Sequence, residues 1–217
     1  MMVLLKKTNF DFIGKRKIFF TFSGILCLAC VISLFTKGLN LGLDFTGGTL
    51  IQVQFQKPIN TGNVRSALLK HNIEASIQSF SDRNAFQIKV KGTQTDVNAE
   101  ANRITSALQQ ELADNTFSEE KRDYVGPVVG NDLTKKALFA IILSMFGIII
   151  YVAFRFSNPV WGTSGVIALL HDLLVAIGAL SITGREVDLV VVAALLTIAG
   201  YSINDTIVIF DRMQIAA

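Results

Sequence analysis

Four long apolar runs alternate with polar segments along this 217-residue chain. The runs cover residues 18–36, 137–154, 162–182 and 187–210 and contain few charged positions. An α-helix rises about 1.5 Å per residue, so about 20 residues cross a hydrocarbon core of about 30 Å. Each run therefore predicts a membrane-spanning helix. Four buried helices of this length are not expected in a soluble chain this short.

The longest polar segment, residues 37–136, has a mixed pattern of strands and helices. In "LIQVQFQ", residues 50–56, apolar residues alternate with glutamines, which predicts a half-buried strand. The stretch "AFQIKVK", residues 85–91, alternates in the same way, whereas apolar residues recur at helical spacing in 97–112. With a weak last strand around Tyr124, the order is βαββαβ. This order predicts a ferredoxin-like split βαβ domain.

Composition agrees with a membrane protein. Hydrophobic residues make up 51% of the chain and charged residues 17%, against about 25% charged in soluble domains. The net charge of +3 is small, so charge does not indicate a nucleic-acid partner. The first run is longer than the apolar part of a signal peptide, about 7–15 residues, and no A-x-A-like site follows it. We interpret it as an uncleaved anchor.

The distribution of basic residues predicts the topology. Five basic residues precede the first run against one acidic residue: Lys6, Lys7, Lys15, Arg16, Lys17 and Asp11. Positively charged flanks stay in the cytoplasm. The predicted cytoplasmic segments are therefore the tail 1–17, the loop 155–161 and the end 211–217. The domain 37–136 and the loop 183–186 are predicted to lie outside.

The fourth run contains an ionisable residue, Asp205, which costs about 3 kcal/mol on insertion scales. Asp205 lies seven residues before Arg212, or about 10 Å inward along the helix. Asn204 adds an amide beside it, and Tyr201 lies at i−4, where it could hydrogen-bond the carboxylate. Two readings are open, a proton-binding site or a structural polar pair that joins helices. We favour the proton site.

The third run contains His171 and Asp172 near its centre. An imidazole beside a carboxylate can titrate near neutral pH, so this pair could share a proton with Asp205. Alternatively, both side chains only hydrogen-bond neighbouring helices. The residues leave these alternatives open.

Other motifs carry no chemistry that we can support. "GLDFTGGT", residues 42–49, lacks the Lys-Ser/Thr ending of a phosphate loop, so its glycines are expected to permit a tight bend or a close backbone approach. Cys27 and Cys30 form C-x-x-C within a span, without a second ligand pair, and are expected to pack as small apolar residues. We predict no metal site and, since no nucleophile–base pair lies outside the spans, no enzymatic activity.

Several stretches resemble the SecF members of the SecD/SecF family of protein-export membrane proteins. These are "LGLDFTGGT" after the first run, "YVGPVVGNDLTKKALFAIILSMFGIIIYVAFRF", and "ALLHDLLVAIGALSITGREVDLVVVAALLTIAGYSINDTIVIFDRM". The pattern "GYSINDTIV-FDR" is the one typical of SecF rather than SecD. Eight positions match the family signature and are expected to be structural: Asp44, Gly47, Gly48, Gly126, Gly130, Gly200, Asp211 and Arg212.

The resemblance implies a multi-span α-helical membrane protein of the bacterial inner membrane with an α+β ferredoxin-like periplasmic domain. It implies an RND-type subunit that uses the proton-motive force, with no cofactor, to assist late steps of export. The implied partners are SecD, the SecYEG channel, YajC, YidC, unfolded exported polypeptide and the lipid bilayer. The family's proton-linked aspartate falls on Asp205.

The family has six spans, so four of a probable six are expected here, with the chain truncated after the fourth. Two other functions stay open on the residues alone. One is a related proton-driven exporter of lipids or small molecules. The other is a passive, membrane-anchored module that binds unfolded chains.

Overall fold

The computed structural model describes residues 14–80, 82–92, 97–156 and 158–216, so most of the predicted tail 1–17 lies outside the described residues. The helices are α1 Arg16–Thr36, α2 Leu43–Thr46, α3 Thr61–Lys70, α4 Val97–Glu111, α5 Pro127–Arg155, α6 Pro159–Thr183 and α7 Leu189–Ala216. The strands are β1 Asn40–Leu41, β2 Gly48–Phe55, β3 Ser76–Phe80, β4 Ala85–Lys91, β5 Phe117–Val125 and β6 Glu186–Val187. The chain divides into two compact units.

One unit contains a four-stranded sheet in the order β3-β4-β2-β5, with every neighbouring pair antiparallel. Helix α3 follows β2 and helix α4 follows β4 along the chain, which gives the order βαββαβ. The two helix crossovers each join strands that are not neighbours in the sheet. This topology is that of the ferredoxin-like fold predicted from the alternating pattern.

The core of this unit lies between one face of the sheet and the two helices. Apolar positions of β2 and β4 alternate with polar ones, so each strand has one buried face. The buried residues of this core, from strands, helices and the loop after α3, are Ile51, Val53, Phe55, Val64, Ala67, Leu68, Ile73, Phe86, Ile88, Val90, Ala101, Ile104, Ala107 and Leu108. Burial of each large side chain contributes about 1.5–3 kcal/mol, so this core accounts for the stability of the sheet.

Strand β5 is longer than the weak strand predicted around Tyr124. It pairs with β2 from Phe117 to Val125, with one register shift opposite Gln52 and Val53. Five consecutive charged residues in β5, residues 119–123, hide the apolar alternation. Charged side chains are common on edge strands because they prevent pairing with other chains.

Helix α5 begins at Pro127, before the apolar run that starts at residue 137. Proline is favoured in the first turn of a helix, where its missing N–H has no helical partner. The intervening turns are polar and carry the ion pair between Asp132 and Lys136. The helix therefore extends the predicted span by several turns of polar sequence.

The other unit contains α1, α6, the part of α5 from Gly147 onward and the part of α7 from Ala194 onward. Within it, α1 and α6 pack most extensively. Four helices, α1, α5, α6 and α7, are long and apolar enough to cross a membrane. Helix α6 begins at Pro159 behind the capping side chain of Asn158, and it ends at Gly184 in the left-handed conformation. Such caps satisfy backbone groups that a helix leaves unpaired at its ends.

Helices α1 and α6 run parallel to each other. Three contacts join them at a constant sequence offset: Ser23 to His171, Cys30 to Gly178 and Ser33 to Ser181. Cys30 is buried against Gly178, as expected for a cysteine that packs as a small apolar residue. Small residues allow membrane helices to approach closely.

Helix α7 begins at Leu189 rather than at residue 187, where the apolar run begins. Val187 belongs to β6, and Asp188 accepts a hydrogen bond at Oδ1 from the backbone N–H of Val191 at 2.8 Å. A carboxylate at this position caps the helix and favours its positive end. The acidic residue that opens the apolar run is therefore a cap.

Candidate functional site

Asp205 lies on the face of α7 that is turned away from the neighbouring helices. Ile203 and Ile207 are buried against Val152 and Phe156. Each helical residue turns the chain by about 100°, so Asp205 points about 160° away from both isoleucines. Its side chain is exposed, and it has no hydrogen-bond or ion-pair partner among the residues that the structure describes.

Asn204 and Tyr201 share this exposed surface of α7. The side chain of Tyr201 is 69% exposed. Neither residue hydrogen-bonds Asp205 within the described ranges, so the expected Tyr201–Asp205 bond is not formed in this structure. The structure thus brings three of the predicted relay residues onto one surface without joining them.

His171 and Asp172 form a hydrogen-bonded network that joins three helices. His171 Nδ1 lies 2.9 Å from Asp172 Oδ1, which makes this nitrogen the donor to the carboxylate. His171 Nε2 lies 2.7 Å from the hydroxyl of Ser23 on α1. The hydroxyl of Ser202 on α7 donates to Asp172 Oδ2 at 2.7 Å.

In this network His171 keeps the same hydrogen-bond partners in both protonation states. In the neutral imidazole, Nε2 accepts from Ser23, and in the imidazolium it donates to the same oxygen. The network can therefore hold or release a proton while all its hydrogen-bonded partners stay in place.

Sequence reasoning missed Ser23 and Ser202. Both are serines within apolar runs that contain other hydroxyl residues, and such residues usually hydrogen-bond their own helix backbone. Ser202 precedes Asp205 by three residues, so the helix brings it close to the same side. Its spacing from the aspartate was the only available signal, and it does not identify Asp172 as the partner.

The other end of α7 is fixed by an ion pair between Asp211 and Arg155 of α5. The aromatic ring of Phe210 packs edge-on against Phe156 and Trp161, with ring centroids 5.7 and 4.9 Å away. Asp211 is one of the signature positions. Arg212, the next signature residue, is exposed.

The two signature glycines at the start of β2 have backbones that a side chain would strain. Gly47 has φ +71° and Gly48 has φ +142°. A Cβ added to Gly48 would lie 2.2 Å from the carbonyl oxygen of Val90. The expectation of a close backbone approach is therefore confirmed.

Helix α5 approaches this same turn at another signature position, Gly130. A Cβ there would lie 2.8 Å from the carbonyl oxygen of Phe45. By contrast, Gly126 and Gly200 have room for a methyl group. Close packing explains why a glycine is needed at Gly130, but no contact among the described residues explains the glycines Gly126 and Gly200.

Asp44 in the same segment contacts the start of α7. Its Oδ2 accepts a hydrogen bond of 2.9 Å from the backbone N–H of Leu189. This N–H has no partner within its own helix, and the helix dipole favours a carboxylate at this position. Asp44 therefore stabilises the first turn of the helix that carries Asp205.

Two family descriptions match the chain. Residues 104–216 match "Protein export membrane protein SecD/SecF, C-terminal". Residues 32–59 match "SecD/SecF GG Motif", which covers the two strained glycines and Asp44.

Relatives and solved structures agree with these matches. The protein translocase subunit SecF of Calditerrivibrio nitroreducens is 41% identical over 95% of this chain and 68% of its own. The corresponding subunit of Magnetococcus marinus is 42% identical over 99% of this chain and 70% of its own. The crystal structure of SecDF, a translocon-associated membrane protein from Thermus thermophilus, superimposes with a TM-score of 0.78 at 29% identity. That match covers 99% of this chain and 29% of the Thermus chain.

Proposed function

Because the chain belongs to the SecD/SecF family of protein-export membrane proteins, we propose that it acts as a SecF-type subunit of the Sec translocase. In this proposal it works in the inner membrane beside SecD and the SecYEG channel. It uses the proton-motive force to assist late steps in the export of unfolded polypeptides. Asp205 is the residue that binds and releases the proton.

The exposed position of Asp205 is the observation that carries the proposal. A charged carboxylate facing lipid costs several kcal/mol, whereas the protonated acid costs much less. No partner from the described residues compensates this charge. The free energy of the helix surface around Asp205 therefore depends on whether the carboxyl group is protonated. An apolar partner surface covers Asp205 at lower cost when the proton is bound than when the carboxylate is charged.

The available energy is sufficient for such a switch. The membrane potential alone supplies about 2.3 kcal/mol per charge per 100 mV. Moving a two-state equilibrium from 1:99 to 99:1 needs about 5.5 kcal/mol. A few protons per cycle, with the contribution of the pH gradient, therefore change the arrangement of the helices decisively.

The His171–Asp172 network provides a second protonatable group near α7. Ser202 lies on α7 three residues before Asp205 and donates to Asp172. In the proposed cycle this network guides the proton along α7. It also keeps α1, α6 and α7 together while Asp205 changes charge.

The parallel direction of α1 and α6 supports the proposed topology. Both helices must cross from the cytoplasm outward if the basic residues before α1 stay inside. The loop with Arg185 then lies outside, together with the sheet domain. Arg155 and Arg212 lie at the cytoplasmic ends of α5 and α7.

The test is Asp205→Asn in the full-length protein, measured as export in membrane vesicles with and without a proton gradient. Asparagine keeps the shape and abolishes titration, so the stimulation by the gradient is expected to disappear while ATP-driven export continues. Asp205→Glu is the control, because it keeps a titratable carboxyl at the same position. Normal stimulation in Asp205→Asn would show that this carboxyl is structural, as in a passive chain-binding module.

A further inference from the structure

The first residues of α7 and the strand before it are held by side chains and backbone from the sheet domain. We use the name α7 clamp for five residues that belong to one compact unit: Gly42, Asp44, Lys89, Glu186 and Asp188. The motif and the family descriptions assign no role to Lys89 or Glu186.

Backbone contacts form the first part of the clamp. The N–H of Gly42 donates to the carbonyl of Val187 at 2.7 Å. A Cβ on Gly42 would lie 3.0 Å from that carbonyl and 3.2 Å from Asp188 Cβ. The segment before α7 is therefore packed directly against the backbone that leads into β2.

Two carboxylates form the second part, at the N-terminus of α7. Asp188 caps the N–H of Val191, and Asp44 accepts from the N–H of Leu189. One carboxylate comes from the helix's own entry segment, whereas the other comes from the segment before β2. The first turn of α7 is thus bonded to a residue outside the helix.

An ion pair between Lys89 and Glu186 forms the third part. Lys89 Nζ lies 2.7 Å from Glu186 Oε2, and the two side chains are only 15% and 19% exposed. Glu186 Oε1 is buried with no hydrogen-bond partner among the described residues. Lys89 is therefore the group that compensates this buried charge, and removing it leaves an unpaired carboxylate.

The pair connects α7 to the centre of the sheet. Lys89 belongs to β4, an interior strand that pairs with both β2 and β3. Glu186 lies three residues before the first residue of α7. Only Val187 and Asp188 separate Glu186 from α7, so a shift of the first turn of α7 acts on Glu186 and through Lys89 on β4.

We propose that the Lys89–Glu186 ion pair is a positioning contact that couples α7 to the sheet domain. It passes the displacement that follows proton binding at Asp205 to the surface that acts on the exported chain. This inference rests on the proposed function, since it needs a proton-driven movement of α7. The pair acts at a distance and does not itself bind the proton.

The experiment compares variants of the full-length protein in membrane vesicles, with export measured in the presence and absence of a proton gradient. Glu186→Gln and Lys89→Met break the ion pair, Lys89→Arg keeps it, and Lys89→Glu/Glu186→Lys reverses it. Glu119→Gln is the matched control, because it breaks another partly buried ion pair of the same domain, with Arg122. Asp205→Asn is run in parallel.

Coupling predicts that both pair-breaking variants reduce the gradient-dependent stimulation by about fivefold or more, the lower end of typical coupling factors. Lys89→Arg and the charge reversal are expected to restore most of it, and Glu119→Gln to leave it unchanged. A merely structural pair would instead lower the amount of folded protein and reduce export equally with and without the gradient.

The parallel variant separates the two proposals. If Asp205→Asn abolishes the stimulation but Glu186→Gln and Lys89→Met retain it, the coupling role is wrong and the proton site stands. If Asp205→Asn retains the stimulation, the proposed function fails, and the coupling role fails with it. Should Glu186→Gln not accumulate in the membrane, Lys89→Met against Lys89→Arg decides the question alone.

Discussion

The contact between Gly178 and Cys30 makes a sharp prediction about how α1 and α6 pack. In Gly178→Ala, the added Cβ would lie 2.2 Å from Cys30 Cβ, 2.4 Å from its Sγ and 3.0 Å from its Cα. Carbon atoms in contact are normally about 3.5–4.0 Å apart. Because the backbone of α1 is among the close atoms, a side-chain rotation cannot relieve the clash, and the helices must separate.

The cost follows from the neighbouring contacts. Overpacking in a tight interface costs about 1–3 kcal/mol. The Ser33–Ser181 hydrogen bond, one turn along the seam, is expected to lengthen, and such bonds are worth about 0.6 kcal/mol each. Alanine regains up to about 1 kcal/mol of helix propensity over glycine. We therefore expect a net loss of about 2 kcal/mol.

Thiol labelling of Cys30 measures this loss directly, since Cys30 is 1% exposed in the folded protein. With Cys27→Ser as the background, a loss of about 2 kcal/mol raises the labelling rate by roughly 30-fold, because about 1.4 kcal/mol corresponds to a factor of ten. Gly24→Ala on α1 is the control, because nothing lies within 4 Å of its added Cβ. Cys30→Gly should recover thermal stability in the Gly178→Ala protein. Equal labelling rates in Gly178→Ala and Gly24→Ala would refute the close packing.

Two further predictions concern the sheet domain. Gly48→Ala should destabilise the domain by about 2–4 kcal/mol in thermal unfolding, because φ is +142° and the added Cβ would lie 2.2 Å from a backbone oxygen. Gly62→Ala is the control and should not destabilise the domain, because the nearest atom to its added Cβ is 3.6 Å away. The hydrogen-bonded guanidinium of Arg122 holds the pKa of Glu119 below its ordinary value of 4.5, against the opposing effect of burial. This stabilisation is complete above that value and is lost as pH falls through the lower folded pKa. The free energy of unfolding, measured from about pH 5 to about pH 3, should therefore depend less on pH in Glu119→Gln than in the unmodified protein. An equal pH dependence in the two proteins would contradict the bidentate pair.

Periodicity predicted the parts of the fold in which one physical term dominates. Burial of apolar surface determines where the four membrane helices form and why apolar residues alternate in β2 and β4. The sequence pattern was therefore sufficient to predict these elements. The glycine pair at the start of β2 was also predictable, because only glycine tolerates the backbone it adopts. The length of β5 could not be predicted, because β5 pairs with β2 through backbone hydrogen bonds and its run of charged side chains shows no apolar alternation.

The partners of the polar residues within the spans could not be predicted from the sequence. Whether Ser202 or Asp205 meets Asp172 depends on the rotation of α7 against α6, and this rotation is set by the packing of Ile203, Ile207 and the aromatic residues around Phe210. The same rotation leaves Asp205 exposed. The role of Glu186 was hidden for a similar reason, because a short loop between two spans gives no sign that a sheet lysine reaches it.

The two polar centres within the spans are chemically different, and this difference argues for separate roles. The His171–Asp172 pair has hydrogen-bond partners on α1 and α7 in this structure, so changing its charge costs little rearrangement. Asp205 has no partner among the described residues, so its charge changes the free energy of whatever surface covers it. A group that must drive movement needs this second property, because a ligand shifts an equilibrium only by its differential free energy in the two states. The movement is therefore expected to originate at Asp205, while the His171–Asp172 pair is expected to keep α1, α6 and α7 together.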